Sequence, residues 1–216
     1  RIAEYARKLG LGSVTGIPLS DEKPGLIPTT EWKKKRTGDV WRGGDTFINS
    51  IGQGFVLVSP IQACQMIAAV ANGGYFYRPV LAKKARNRET GAVTTFPTEL
   101  RHKINLDAAA LDKVRRALAG VVAEPRGTGH GSATPLATVA GKTGTAQVVA
   151  QKVAGRRLSG KSQDHAWFVA YAPVENPKIA VAVIVEHGGH GGAAAAPIAK
   201  RVIEEYLKNV QQSMVH

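Results

Sequence analysis

The strongest constraint on the fold is a short connection between two apolar, β-rich runs near the C-terminus. These runs cover 165–172 and 178–186, and only the segment from Pro173 to Pro177 joins them. A parallel crossover requires a dozen or more residues, so the two strands must pair as an antiparallel hairpin. A third β-rich run comes earlier, at 137–149. The basic stretch 150–164 is long enough to form a hairpin loop between that run and the run at 165–172. The last third of the chain therefore predicts one antiparallel sheet.

Helical patterns surround these strands along the chain. The sequence Ser59-Pro60-Ile61-Gln62 is a capping box with proline at the first helical position, and it begins an apolar helix over 61–71. Apolar residues at helical spacing predict further helices at 1–9, 106–122 and 194–210. We therefore expect an α+β fold in which helices pack on the antiparallel sheet.

The rest of the N-terminal two thirds is less regular. Residues 12–42 are rich in Gly, Pro and Thr and contain few apolar runs, which predicts an irregular surface excursion. A short strand at 75–80 and a charged, turn-rich hairpin at 83–103 are expected further along the chain. None of these stretches repeats another, so a solenoid or repeat architecture is not expected.

The motif from Gly141 to Ala146, here called the Lys142 box, lies inside the first predicted strand. A phosphate-binding P-loop needs a glycine five positions before Gly141, where Leu136 stands, and a helix afterwards, where strand residues follow. The box instead matches the Lys-Thr-Gly motif of penicillin-binding proteins and serine β-lactamases. On an edge strand it would offer unpaired backbone to an extended peptide and a cation and hydroxyl to a carboxylate. Taken alone, a lysine in a turn of an ordinary sheet fits the motif equally well.

The order of other segments resembles that of the elongation-type class B penicillin-binding proteins across nearly the whole chain. In chain order these segments are Thr15-Gly16-Ile17-Pro18-Leu19, Ile51-Gly52-Gln53-Gly54, Ser59-Pro60-Ile61-Gln62, Asn72-Gly73-Gly74, Gly127-Thr128-Gly129, the Lys142 box with Gln147-Val148, and Ala166-Trp167-Phe168-Val169-Ala170-Tyr171-Ala172-Pro173. The stretch from Pro28 to Lys33, followed by Trp41 and Gly44-Asp45-Thr46, is most similar to the subgroup called penicillin-binding protein 2. That subgroup contains the elongation transpeptidases of rod-shaped bacteria.

The resemblance implies the penicilloyl-serine transferase fold and a serine acyl-transferase that cross-links peptidoglycan and binds penicillin. The chain would be the C-terminal part of one transpeptidase domain, with a mainly helical and loop region at 1–136 and the strands and last helix at 137–216. Four residues of the Lys142 box would form the site. Lys142 would help to hold the substrate carboxylate and tune proton transfers, Thr143 would hydrogen-bond that carboxylate, Gly144 would admit the peptide, and the Thr145 N–H would be an oxyanion donor.

The family's other two motifs, Ser-x-x-Lys and Ser-x-Asn or Ser-x-Asp, have no counterpart in the expected position. The literal Ser20-Asp21-Glu22-Lys23 lies between Pro18 and Pro24, where serine and lysine cannot share the first turn of a buried helix. In the family these motifs precede the region that matches Arg1. We therefore expect the nucleophilic serine to lie upstream and the isolated fragment to be inactive.

Other chemistry-bearing residues favour structural roles. The histidines of Glu186-His187-Gly188-Gly189-His190 lie in a glycine-rich turn with no helix to aim them, so a strand-to-helix loop is expected instead of a metal site. The neighbouring residues Asp164 and His165 point to opposite faces of a strand and cannot both serve one catalytic triad. The single cysteine, Cys64, excludes an intramolecular disulfide and is expected to be a buried small hydrophobe. No cofactor is predicted.

The charge balance favours anionic surroundings. The chain has 29 Lys and Arg against 16 Asp and Glu, a net charge of +13. The densest basic run, Lys33-Lys34-Lys35-Arg36, is predicted to be a solvated face, and the nearby tryptophans lack a nucleic-acid stacking pattern. Two alternatives stay open: a β-lactamase or penicillin-sensing receptor, which would share the Lys142 box, and a non-catalytic basic binding module.

The resemblance also implies partners and a location. The expected ligands are peptidoglycan stem peptides and β-lactam antibiotics, and the expected protein partners are the rest of the same domain, a membrane glycosyltransferase and elongation-complex proteins. Nucleic acid is not an expected partner. The sequence has no run of eighteen apolar residues that could span a bilayer. The resemblance implies a single-pass anchor in the bacterial inner membrane upstream of this chain, with the catalytic domain in the periplasm.

Overall fold

Three strands near the C-terminus form the central sheet of the protein, which we describe from a computed structural model covering residues 1–148 and 163–213. The helices in this part are α1 (Ile2–Lys8), α2 (Thr30–Thr37), α3 (Gly43–Ser50), α4 (Pro60–Asn72), α5 (Ala108–Ala123), α6 (Gly191–Ala194) and α7 (Ala196–Ser213). The strands are β1 (Tyr75–Tyr77), β2 (Lys84–Arg86), β3 (Val93–Thr95), β4 (Leu100–Lys103), β5 (Ala140–Ala146), β6 (His165–Ala172) and β7 (Ile179–Val185).

The central sheet has the strand order β5-β6-β7, and both pairings are antiparallel. The short connection from Pro173 to Pro177 therefore forms the hairpin that its length requires. In the register, Lys142 lies opposite Val169, and Val169 lies opposite Ala182. The predicted α+β class with an antiparallel sheet is confirmed. Most of the predicted loop 150–164 lies outside the described residues.

The sheet separates two groups of buried side chains. Phe168 and Ala170 of β6 cluster with Ile203 of α7, and all three are fully buried. Tyr171, which alternates with them along the strand, packs on the other face against Ile67 of α4. Full burial of a large apolar side chain contributes roughly 1.5–3 kcal/mol, so both helix layers hold the sheet. Within the described residues, the sheet is covered by helices on both faces.

Helix α4 begins at the predicted capping box. The Ser59 hydroxyl accepts the N–H of Gln62 at 3.3 Å, and the Gln62 side-chain oxygen accepts the N–H of Ser59 at 2.9 Å. The helix ends at Gly73, whose φ of 88° is a left-handed conformation that glycine adopts without steric cost. Both boundaries could be read from sequence because each depends on residues within one helical turn.

Two helices, α2 and α3, were not expected. The structure places α2 inside the predicted irregular excursion and α3 directly after it. The Thr29 hydroxyl caps α2 by accepting the N–H of Trp32 at 3.2 Å. Trp32 is the one large apolar residue of α2, so hydrophobic periodicity provides no signal for this helix.

A buried lysine explains how these two helices are held together. Lys33 is only 8% exposed, and its ammonium lies 2.7 Å from the Asp45 carboxylate and 3.2 Å from the carbonyl oxygen of Val40. The hydrogen bond from Lys33, together with one from the backbone N–H of Arg42, lowers the pKa of Asp45. The prediction of a solvated basic face is therefore wrong for Lys33, although the rest of that run is exposed.

The predicted hairpin at 83–103 is only partly present. Strands β2 and β3 pair as a hairpin, with Lys84 opposite Thr95. Strand β4 instead pairs with β1, with Tyr75 opposite Lys103. The region thus forms two small sheets, because β4 finds its hydrogen-bond partner in a strand more than twenty residues earlier. No helix in the described part is both long and apolar enough to cross a lipid bilayer.

Candidate active site

The Lys142 box lies on the outermost strand of the described sheet. Within the described residues β5 pairs with β6 alone, so one of its edges carries no strand. Backbone groups of alternate residues face opposite sides of a strand. The side chain of Lys142 contacts the carbonyl group of Thr143, and the side chain of Gln53 contacts the carbonyl group of Thr145 and the N–H of Gln147. These backbone groups therefore lie on the free edge. The edge therefore presents a row of backbone groups to the outside.

The Lys142 ammonium and the Thr143 hydroxyl meet at this free edge. Lys142 is exposed, and its ammonium donates to the carbonyl oxygen of Thr143 at 3.0 Å and lies 3.4 Å from the Thr143 hydroxyl oxygen. Among the described residues, the ammonium forms no ion pair with a carboxylate. A cation and a hydroxyl at this spacing can donate to the two oxygens of one bound carboxylate.

A glycine-flanked turn holds the Thr143 hydroxyl from the other side. The Thr143 and Thr128 hydroxyl oxygens lie 2.9 Å apart and share a hydrogen bond, and the Thr143 hydrogen is available to a ligand when Thr128 is the donor. The turn is packed tightly, because a Cβ on Gly129 would lie 2.9 Å from the Phe168 ring. The backbone N–H of Gly129 also donates to the carbonyl oxygen of Val121 at 3.0 Å. The sequence marked this turn only by resemblance, and its contact with the box is a finding of the structure.

The first residue of α6, which follows the loop after β7, packs against the same strand. A Cβ on Gly191 would lie 2.8 Å from the carbonyl oxygen of Gly144 and closer still to that of Trp167. Only a residue without a side chain allows this approach. At Gly144 itself a Cβ would lie 3.2 Å from the Trp167 Cβ. The loop that contains His187 and His190 therefore ends next to the Lys142 box.

Gln53 also belongs to the candidate site, and the sequence did not predict its contact with the Lys142 box. Its side-chain nitrogen donates to the carbonyl oxygen of Thr145 at 2.6 Å, across 92 residues of chain. Its side-chain oxygen accepts the N–H of Gln147 at 3.4 Å. The sequence showed Gln53 only as part of a resembling segment, and no local pattern could have indicated its partner.

The remaining candidates lie in structural positions. The His165 Nδ1 accepts the backbone N–H of His187 at 2.9 Å, and the two rings lie 4.7 Å apart at the end of the sheet. No three His, Cys, Asp or Glu side chains converge on a metal position in residues 1–148 and 163–213. Ser20 and Lys23 are both exposed, and Ser20 lies in a turn.

Cys64 packs on the inner side of α4 and is half-buried, less than predicted. Its sulfur lies 3.5 Å from the carbonyl oxygen of Ala180 on β7. Burial raises the pKa of the Cys64 thiol, which keeps it neutral and unreactive at ordinary pH. The residue therefore contributes to packing between α4 and the sheet.

An antiparallel sheet covered by helices, with a Lys-Thr-Gly motif on its free edge, defines the class of penicillin-binding proteins and serine β-lactamases. Comparison with protein families narrows this class. The chain belongs to the family described as the penicillin binding protein transpeptidase domain, whose profile matches residues 1–204. The resemblance read from the sequence is thereby confirmed.

Curated relatives of the chain include peptidoglycan D,D-transpeptidases named MrdA. The chain is 38% identical to the peptidoglycan D,D-transpeptidase MrdA of Haemophilus influenzae, covering 96% of this chain and 32% of that protein. It is 39% identical to MrdA of Acinetobacter baumannii, covering 94% and 30%. The chain thus spans about a third of the length of these curated relatives.

Solved structures agree with these relatives. Penicillin-binding protein 2 of Pseudomonas aeruginosa in complex with WCK 5153 aligns with a TM-score of 0.78 at 37% identity, covering 94% of this chain and 43% of that one. Penicillin-binding protein 2 of Helicobacter pylori in complex with MreC aligns with a TM-score of 0.76 at 30% identity, covering 94% and 35%. The chain therefore has the transpeptidase fold of this family, as a part of the domain.

Proposed function

We propose that the chain is the C-terminal part of the transpeptidase domain of a peptidoglycan D,D-transpeptidase that works in cell elongation. In this proposal residues 1–136 form the helical and loop region, and residues 137–216 form the strands and last helix of that one domain. The observation that carries the proposal is the pairing of the Lys142 ammonium with the Thr143 hydroxyl at the free edge of β5. The likeness to MrdA proteins supports the choice of substrate and pathway.

The proposed reaction begins at a serine outside this chain. Its hydroxyl oxygen attacks the carbonyl carbon of a D-Ala-D-Ala peptide bond, the C–N bond breaks, and D-alanine leaves after its amine takes up the serine proton. The stem peptide stays on the serine as an ester. An amine of a neighbouring stem peptide then attacks the ester, forms the cross-link, and returns a proton to the serine oxygen. Water in place of that amine would give carboxypeptidase activity.

Each residue of the Lys142 box has a proposed role. Lys142 and Thr143 bind the terminal carboxylate of the donor peptide, because a cation and a hydroxyl there face the free edge with no competing carboxylate among the described residues. Lys142 also tunes proton transfer at the site. Gly144 lets the peptide backbone approach, and the Thr145 N–H donates to the oxyanion together with the N–H of the serine. The box needs no cofactor for these tasks.

Partners and location follow from the same proposal. The H. pylori relative was solved with MreC, which supports elongation-complex proteins as partners of this protein too. We further propose a membrane glycosyltransferase as the enzyme that supplies glycan strands, and a bacterial inner-membrane anchor with the catalytic domain in the periplasm. A net charge of +13 suits work beside anionic phospholipid and wall polymer. The likeness to MrdA proteins, and not the charge, is the reason that we propose no role for nucleic acid.

Labelling with a fluorescent penicillin tests the function. The intact protein should form a covalent acyl-enzyme, whereas the 216-residue chain alone should not, since the proposed nucleophilic serine lies outside it. Lys142→Ala in the intact protein should slow labelling by roughly 100-fold, the scale for loss of one electrostatic contact in an acyl-transfer site.

The matched control is Lys34→Ala, which removes an exposed lysine on α2 and should leave the labelling rate unchanged. Labelling that is equally fast in Lys142→Ala and Lys34→Ala would refute the role of Lys142. An intact protein that binds no penicillin would refute the proposed function itself.

A further inference from the structure

A side-chain amide holds the free edge of β5 where a neighbouring strand would otherwise pair. Gln53 donates to the carbonyl oxygen of Thr145 at 2.6 Å and accepts the N–H of Gln147 at 3.4 Å. One primary amide thus supplies both the donor and the acceptor that a peptide group supplies in a sheet. The roles proposed for the Lys142 box do not explain this contact.

The turn that presents Gln53 is fixed by its own backbone. Gly52 and Gly54 flank Gln53 with φ of 73° and 74°, values that favour glycine. The backbone N–H of Gln53 donates to the carbonyl oxygen of Ile48 at 3.1 Å, which ties the turn to the end of α3. A Cβ on Gly54 would lie 2.8 Å from the Ile48 side chain. The turn therefore holds Gln53 in place, and Gln53 in turn connects α3 to the edge of β5.

Gln53 contacts Thr145, the residue whose N–H is the proposed oxyanion donor. The N–H of Thr145 faces the same edge as its carbonyl group, because both backbone groups of a strand residue point the same way. An oxyanion donor is effective only when it is aimed in advance at the position of the developing charge. Peptide groups are planar, so anchoring the carbonyl of Thr145 and the N–H of Gln147 restricts the dihedral angles that aim the Thr145 N–H.

We propose that Gln53 is a positioning residue for acyl transfer, whose side-chain amide anchors the edge of β5 so that the Thr145 N–H keeps the direction an oxyanion requires. The inference rests on the proposed function. Gln53 acts through Thr145 and touches no reacting atom. Its removal therefore slows the acylation step and leaves initial binding of the ligand nearly unchanged.

The test measures acylation of the intact protein by a fluorescent penicillin over a range of concentrations. Gln53→Ala should lower the rate at saturating penicillin on the order of 10-fold, with the half-saturating concentration changed less than about twofold. Gln53→Glu keeps the acceptor for Gln147 but loses the donor to Thr145, so it should be slow at neutral pH. Its rate relative to wild type should recover at acidic pH, where protonation of the carboxyl restores a donor.

The control is Gln65→Ala. Gln65 donates its side-chain amide to the carbonyl oxygen of Tyr77 at 2.8 Å, away from β5, so its loss should not change acylation. The positioning role is refuted if Gln53→Ala reacts at the wild-type rate, or if its defect lies wholly in the fraction of protein that reacts. A wild-type protein that is never acylated overturns the proposed function, and this inference with it.

Discussion

Replacing Gln62 should destabilise the protein far more than its place in the first turn of α4 suggests. Its side chain is fully buried and makes three hydrogen bonds to backbone groups. The nitrogen donates to the carbonyl oxygens of Ser13 at 2.8 Å and Pro24 at 2.7 Å, and the oxygen accepts the N–H of Ser59 at 2.9 Å. The Gln62 side chain therefore binds the irregular segment that contains Ser13 and Pro24 to the start of α4.

The expected magnitude follows from this count of bonds. Each buried hydrogen bond contributes about 0.5–1.5 kcal/mol net, so Gln62→Ala should lower the free energy of unfolding by roughly 1.5–4.5 kcal/mol. For a chain of this size about 3 kcal/mol corresponds to a fall in melting temperature of roughly 6–12 °C. Urea unfolding followed by circular dichroism measures the loss.

Two further variants sharpen this measurement. Gln62→Glu retains the shape and the acceptor but turns a second oxygen toward the carbonyls of Ser13 and Pro24, so it should be at least as destabilising at neutral pH. Gln65→Ala removes one bond from a half-buried residue of the same helix and should cost less than about 1.5 kcal/mol. A loss below about 1 kcal/mol for Gln62→Ala would refute the reasoning.

Two other perturbations test buried polar groups. The fully buried hydroxyl of Tyr171 has no hydrogen-bond partner in the described part of the chain, so Tyr171→Phe should leave the free energy of unfolding unchanged or raise it by up to about 1 kcal/mol; a clear loss in urea unfolding would contradict this. The Lys33 hydrogen bond lowers the pKa of Asp45 below its ordinary 3.8, so its stabilisation is present above that value and is lost as pH falls toward the lower folded-state pKa. Stability measured from pH 2 to 6 should therefore fall less steeply at the acid end in Asp45→Asn than in wild type, and equal slopes would show that the pair does not contribute.

Much of the central fold could be predicted because the signals for it are local. The strand predicted at 165–172 has those same bounds in β6, since an apolar, β-rich run and a short turn depend on neighbouring residues. The start of α4 was readable for the same reason. Strand β4 was not, because its pairing with β1 depends on which distant edge it meets. Helix α2 was missed because its support is the ion pair between Lys33 and Asp45, which no periodicity reveals.

In the candidate site, too, the local motif could be predicted from the sequence and its distant contacts could not. The Lys142 box was recognisable because a lysine, a hydroxyl and a glycine in that order carry their chemistry within a few residues. The partners of the box, Thr128 and Gln53, lie 15 and 92 residues from the groups they contact.

By itself, the sequence determined the antiparallel hairpin, the capped helix and the identity of the motif. Only the tertiary structure decided that a glutamine amide holds the end of β5 and that a glycine turn holds the Thr143 hydroxyl. The reason is physical: a hydrogen bond between distant residues exists only after packing has brought its two partners within about 3 Å.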